Sequence, residues 1–405
     1  MELSYCTNVH PAEDLDGVLE QLDAFAGPVR RAAGLDRLGV GLWLPADLAA
    51  RLASSSEDRR RLQARLEVNG LVLRTINAFP YRAFHADVVK LDVYRPDWTD
   101  ARRVAHTLDC ARVLADLLPE GAAGSISTLP LAWREPWTEA DDRAATEALA
   151  LVSRELRALR EATGRTVRLA IEPEPGCVLD TVDDVVGWLA PRTRSGLIDP
   201  EFVGVCLDTC HLAVSFADPA VAMRRIADAG LRVVKVQASA ALHVERPSDP
   251  VSRAAIASFG EPRYLHQTRE LRADGVVLAA DDLAEALDAL PGEGPWRVHF
   301  HVPLHLAPTP PLTATTDVLV TVLDAIRGIP HGDEAHVDVE TYTWTVLPGG
   351  VDDLVAGIAG EVRWAAAALD ADEGAAHATD AAVGALDAAT RHPAPAAPAR
   401  SGVPA

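Results

Sequence analysis

A chain of 405 residues with 48% hydrophobic content is long enough for one large domain or two ordinary ones and can bury a sizeable core. Its formal net charge of -21 argues against nucleic acid as a partner, because phosphate-backbone binding draws on clustered Lys and Arg that release counterions. No apolar run reaches the length of a membrane span, and the opening MELSYCTNVH lacks the basic and apolar regions of an export signal, so a cytoplasmic protein without a transmembrane segment is expected.

Short β-rich runs recur along the chain, in the order LSYCT (3 to 7), GVGLWL (39 to 44), LVLRTIN (71 to 77), SISTL (125 to 129), VRLAIE (167 to 172), FVGVCLD (202 to 208), LRVVKVQ (231 to 237), RVHFHV (297 to 302) and HVDVET (336 to 341). Between them, stretches such as DARRVAHTLDCARVLADLL (100 to 118) and EALALVSRELRALREA (147 to 162) repeat apolar residues at three and four, the period of a crossover helix. Strand alternating with helix implies a parallel sheet. About eight such units, with no GxGxxG after the first strand, fit a (β/α)8 TIM barrel better than an open doubly wound sheet. Nine candidate strands are one too many. The irregular segment from about 240 to 335 is therefore read as an insertion between the seventh and eighth strands, with RVHFHV as its extra strand. Residues 1 to 369 form the single barrel domain in this reading, and the Ala/Pro-rich tail, 370 to 405, is expected to be largely disordered.

In a barrel, alternate strand residues point inward and chemistry gathers at the carboxyl ends of the strands. Parity then sorts the faces. Val167, Leu169 and Ile171 face the helices, leaving Ala170, Glu172 and Glu174 inward. Val203, Val205 and Leu207 oppose Gly204, Cys206 and Asp208. Val234 and Val236 oppose Lys235, Gln237 and Ser239, while Val298, Phe300 and Val302 oppose His299 and His301. Val337 and Val339 oppose Asp338, Glu340 and Tyr342. So many inward ionisable groups are costly to bury unless paired, solvated or bound to a cation.

Read singly, each group has a structural alternative. Glu172 can cap or salt-bridge, Asp208 can cap a strand-to-helix turn, and the two histidines can be core residues. The five cysteines are scattered and odd in number, which suits reduced thiols, and Cys206 and Cys210 lack zinc-finger spacing. Only two lysines occur, Lys90 and Lys235. Together at strand ends, Glu172, Asp208 with His211, and Glu340 are much harder to dismiss as structural.

This constellation resembles the xylose isomerase-like TIM-barrel superfamily, which includes sugar epimerases and endonuclease IV. There a Glu ends the fifth strand, Asp-x-x-His the sixth, usually a His the seventh and a Glu the eighth; here Glu172, Asp208 with His211, Gln237 and Glu340 take those places. The chain departs from the pattern at Gln237, whose neutral oxygen is a weaker ligand, and His301 from the inserted strand is the candidate for the missing imidazole. More narrowly, SYCTNVHPAED, INAFPYRAFH, VYRPDW, STLPLAWR and IEPEPGC resemble the EboE-type metabolite traffic proteins, which are encoded beside a UbiA-like prenyltransferase.

The resemblance implies one divalent metal, Mn²⁺ or Mg²⁺ favoured and Zn²⁺ admissible, held by Glu172, Asp208, Gln237, His301 and Glu340. Glu172, Glu340, His211 and Lys235 are the candidate catalytic groups. Asn8, His10, Asn77, Phe79, His85 and Trp98 are the candidate substrate contacts. A sugar isomerase- or epimerase-like activity on a secondary-metabolite precursor is implied. The alternative is a non-catalytic carrier that passes an intermediate to the prenyltransferase-like membrane partner or to other proteins of the cluster.

Overall fold

The computed structural model describes residues 1–370. The tail expected to be disordered lies outside the described residues, except for Asp370. Seven barrel strands follow in chain order: β1 (Glu2–Cys6), β2 (Leu38–Trp43), β3 (Leu71–Asn77), β4 (Ala123–Thr128), β5 (Thr166–Ile171), β6 (Val203–Asp208) and β7 (Val233–Ala238). The chain then leaves the barrel for β8 (Leu242–Val244), β9 (Thr268–Leu271), β10 (Val277–Ala280), β11 (Trp296–Val298) and β12 (Thr313–Ala314), and returns as β13 (His336–Val339). All eight barrel pairings are parallel, and β13 closes the ring between β7 and β1. The protein is an α/β TIM barrel.

The crossover helices start and stop where their ends are chemically marked. Thr138 and Asp141 form a capping box at the start of Glu139–Thr163, and Gly164 ends it in the left-handed region at φ 70°. Burial explains the outward strand faces: Val167, Leu169, Ile171, Val203, Val205, Leu207, Val337 and Val339 all join the main apolar core beneath the helices.

Inside the barrel, alternation breaks at one instructive place. The register between β6 and β7 slips by one residue at Val205/Cys206, so β7 carries a bulge. Two successive residues then share a side of the sheet. Val234, which parity placed among the helices, instead packs inside the barrel with Ala170 and Cys206. Lys235 remains inward, fully buried, with its Nζ 2.9 Å from Asp338. Asp338 also accepts from Ser4 Oγ at 2.6 Å, and it crowds β2 so closely that a Cβ at Gly41 would lie 2.2 Å from its Oδ2. A side chain at position 41 would displace that ion pair.

The insertion carries its own antiparallel sheet, in the order β10-β9-β11-β8-β12, a feature the period-two runs did not reveal because its strands are two to four residues long. RVHFHV enters this sheet, not the barrel, and only its first residues are strand. The alternation persists beyond the strand: Val298, Phe300 and Val302 are core residues, whereas His299 and His301 face the barrel mouth.

Candidate metal centre and its cavity

Glu172 follows β5 directly, with its N–H bonded to Thr128 O, and Glu340 follows β13, with its N–H bonded to Ala238 O. Asp208 closes β6. Its Oδ1 accepts from the His211 N–H at 2.8 Å and from Ser239 Oγ at 2.9 Å, capping the helix Thr209–Val214. The capping alternative is therefore correct for Oδ1. Its other oxygen, Oδ2, is left for the site.

Oxygens of Glu172, Asp208 and Glu340 lie within 4.8 Å of one another, as do ligand atoms of Asp208, His211 and His301. The three carboxylates are no more than 5% exposed. Burial first, and then the charge of Asp208, pushes Glu340 up to about 8; burial and the charge of Glu340 push Glu172 well above the usual carboxylate range. Two side-chain amides steady Glu340, because Asn8 and Asn77 each donate to its Oε1 at 2.7 Å.

The donor set fits a divalent cation. Among the described protein groups, Glu172 Oε2, Asp208 Oδ2, His301 Nε2 and both side-chain heteroatoms of Gln237 are buried without a hydrogen-bond partner. Buried lone pairs are seldom left unsatisfied, and clustered carboxylate, amide and imidazole donors suit a hard or borderline ion. The tautomer of His301 agrees. Its Nδ1 must donate to the Glu340 carbonyl at 2.7 Å, which leaves Nε2 as a lone pair 3.7 Å from Asp208 Oδ2. Gln237 lies in register with Asp208 on one side and Asp338 on the other.

Beside this cluster, two histidines meet nitrogen to nitrogen. His211 Nδ1 donates to Pro173 O at 2.9 Å, and His299 Nδ1 faces Gln267 Oε1 at 2.7 Å. Gln267 is oriented by its NH2 group, which donates to Tyr94 Oη, Glu174 Oε1 and Pro175 O. Both rings thus carry a proton on Nδ1, and their Nε2 atoms approach to 3.1 Å. One proton or one cation must lie between those lone pairs. Gln267, in the insertion, has no sequence signal marking it as a site residue. Glu174 was legible in IEPEPG.

Of the remaining candidates, Phe79, Asn8, Asn77 and His211 line the cavity. Three expected substrate contacts do not. His10 stacks on Phe25 at 4.5 Å, and Trp98 is fully buried with its indole donating to Leu129 O. His85 stands behind Phe84 and donates to Asn8 O at 2.7 Å. Lys235 also lies off the cavity lining, spent on Asp338. His10, His85 and Trp98 were drawn from motif segments, and the motif does not say which way a ring turns.

The family follows from comparison. The profile of the xylose isomerase-like TIM barrel family matches residues 29–294, and the chain belongs to that family. Among solved structures it is similar to a D-psicose 3-epimerase in the presence of D-fructose (15% identity, 91% of this chain and 97% of that one, TM-score 0.47). It is also similar to D-psicose 3-epimerase with D-tagatose from Clostridium cellulolyticum H10 (15%, 91% and 97%, TM-score 0.48) and to IOLI protein with a binding zinc atom (13%, 91% and 98%, TM-score 0.47). No curated protein matches the chain.

Proposed function

We propose that this protein is a divalent-metal-dependent isomerase or epimerase that moves a proton at the carbon next to a carbonyl. The observation that carries the reading is the set of buried, unpartnered donor atoms of Glu172, Asp208 and His301 gathered beside Glu340. These four residues, with Gln237 as a neutral fifth donor, would hold the cation. When bound, a divalent cation supplies polarisation of the substrate carbonyl, and the oxygen-rich set favours Mn²⁺ or Mg²⁺ with Zn²⁺ admissible.

Glu172 and Glu340, which follow different barrel strands, then divide the proton work, one removing the proton and the other returning it. Asn8 and Asn77 fix Glu340, and His211, which lines the cavity, orients a substrate hydroxyl. Lys235, held by Asp338, limits the rise of both carboxylates, while Asp338 itself pushes Glu340 up. The resemblance of the early motifs supports a finer role in handling or export of a secondary-metabolite precursor, with a UbiA-like prenyltransferase as partner. Gln237, in place of an imidazole, favours a second reading: a carrier that binds the intermediate without chemistry.

Deuterium exchange separates the two. Incubated in D2O with Mn²⁺ and a panel of ketoses, an isomerase washes deuterium into the carbon-bound position next to the carbonyl, and Glu172→Gln abolishes the exchange. Binding without exchange in the wild type would leave the carrier reading standing instead.

A further inference from the structure

The cavity above the carboxylates has two unlike sides. Its floor is polar, formed by Glu172, Glu340, Asn8, Asn77, His211 and His301. The opposite wall comes from two segments far apart in sequence. The loop after β3 contributes Phe79, Phe84, Val89 and Val93, and the insertion contributes Tyr264 and Leu265. Tyr342 joins them: Phe84, Tyr264 and Tyr342 form a three-ring cluster with centroids 4.8 to 5.3 Å apart.

Two tyrosine hydroxyls beside this wall are already engaged. Tyr94 Oη donates to Glu174 at 2.7 Å, and Tyr264 Oη donates to Phe84 O at 3.3 Å, so both rings present carbon. Among the described residues lining the cavity, Lys90 is the only lysine or arginine, and its ammonium is paired with Asp282. The N–H groups of Val89 and Lys90, which could cradle an anion, both donate to Arg263 O. A phosphate entering here would meet three carboxylates and no unengaged cation among the lining residues.

We propose that the substrate is an amphiphile: a hydroxy-carbonyl head set against the carboxylates, joined to an uncharged hydrocarbon or aryl body that lies along the apolar wall formed by Phe84, Tyr264 and Tyr342 at the mouth, with no phosphate. This rests on the metal-assisted proton transfer proposed above and names its substrate class. The free volume of about 60 Å³ takes the head. The body extends from there along the apolar wall, and covering that aromatic carbon supplies affinity that a bare polyol lacks.

The test uses the full chain loaded with Mn²⁺ and three compounds sharing one head: dihydroxyacetone, dihydroxyacetone phosphate and 1-hydroxy-4-phenylbutan-2-one, with affinities from calorimetric titration. The phenyl compound is expected to bind about tenfold or more tighter than dihydroxyacetone, a gain of about 1.4 kcal/mol, and the phosphate more weakly than either. Phe84→Ala and, separately, Val89→Ser should cut the ratio of phenyl-compound to dihydroxyacetone affinity at least about fivefold. A phosphate that binds as tightly as the phenyl compound overturns the proposal. Phenyl-compound binding that is unchanged in Glu172→Gln/Glu340→Gln would keep the apolar body site and sink the metal-assisted head reading. If none of the three binds, both fall.

Discussion

His301 reaches the barrel carboxylates from the insertion, and its carbonyl-anchored Nδ1 commits the other nitrogen to the site. The proposed ligand role predicts that His301→Ala weakens Mn²⁺ binding about tenfold or more, at least what loss of an outer partner costs. Unchanged affinity by titration would remove His301 from the ligand set. Glu361 acts one step further out. It accepts from Leu304 N, Thr341 Oγ1 and Trp344 Nε1, clamping the residues that follow both His301 and Glu340. Burial pushes its carboxyl up to about 7 against the pull of those three donors. The native state therefore holds a proton that the unfolded state has released above its ordinary value near 4.5. Stability should fall as pH rises between those values, by roughly 3 kcal/mol from this group. Glu361→Gln should show a correspondingly flatter decline in urea denaturation over that range, and equal slopes for the two proteins would contradict the assignment.

At the level of elements, the loop after β3 owes its position to one buried guanidinium. Arg103, fully buried on the helix Ala101–Leu117, donates to Ala78 O, Phe79 O and Pro96 O, gathering both ends of the segment that forms the apolar wall. Arg103→Met strips three buried carbonyls of a donor and should destabilise the fold by about 3 kcal/mol or more, measured by chemical denaturation. A loss under about 1 kcal/mol would show that the carbonyls find other partners. Strand parity made the barrel and the inward set Glu172, Asp208, Gln237 and Glu340 legible, because outward valines and leucines must be buried under helices and the polar alternates have one place left. It failed at Val234, where a bulge adds a residue that leaves no mark in composition. It was silent on the five-stranded inserted sheet, on Gln267 and on Glu361, whose partners lie far away in sequence and are set by tertiary packing. His10, His85 and Trp98 show the same limit from the other side: a motif gives the segment, and packing gives the direction of the ring.

For the whole molecule, the barrel supplies carboxylates at three strand ends and the insertion supplies His299, His301 and part of the cavity wall, so neither part alone completes the site. Within the described residues no helix is long and apolar enough to cross a membrane. Crowded carboxylates with unpartnered lone pairs make the arrangement unfavourable without a bound cation or protons, and this joins the fold to the proposed chemistry. The most direct test is the divalent-metal content of purified protein, by elemental analysis before and after equilibration with Mn²⁺, for the wild type and for Glu172→Gln/Glu340→Gln. The wild type is expected to carry about one ion per chain and the folded double variant none. A wild type that stays metal-free after equilibration, or a double variant that retains its ion, would contradict the account.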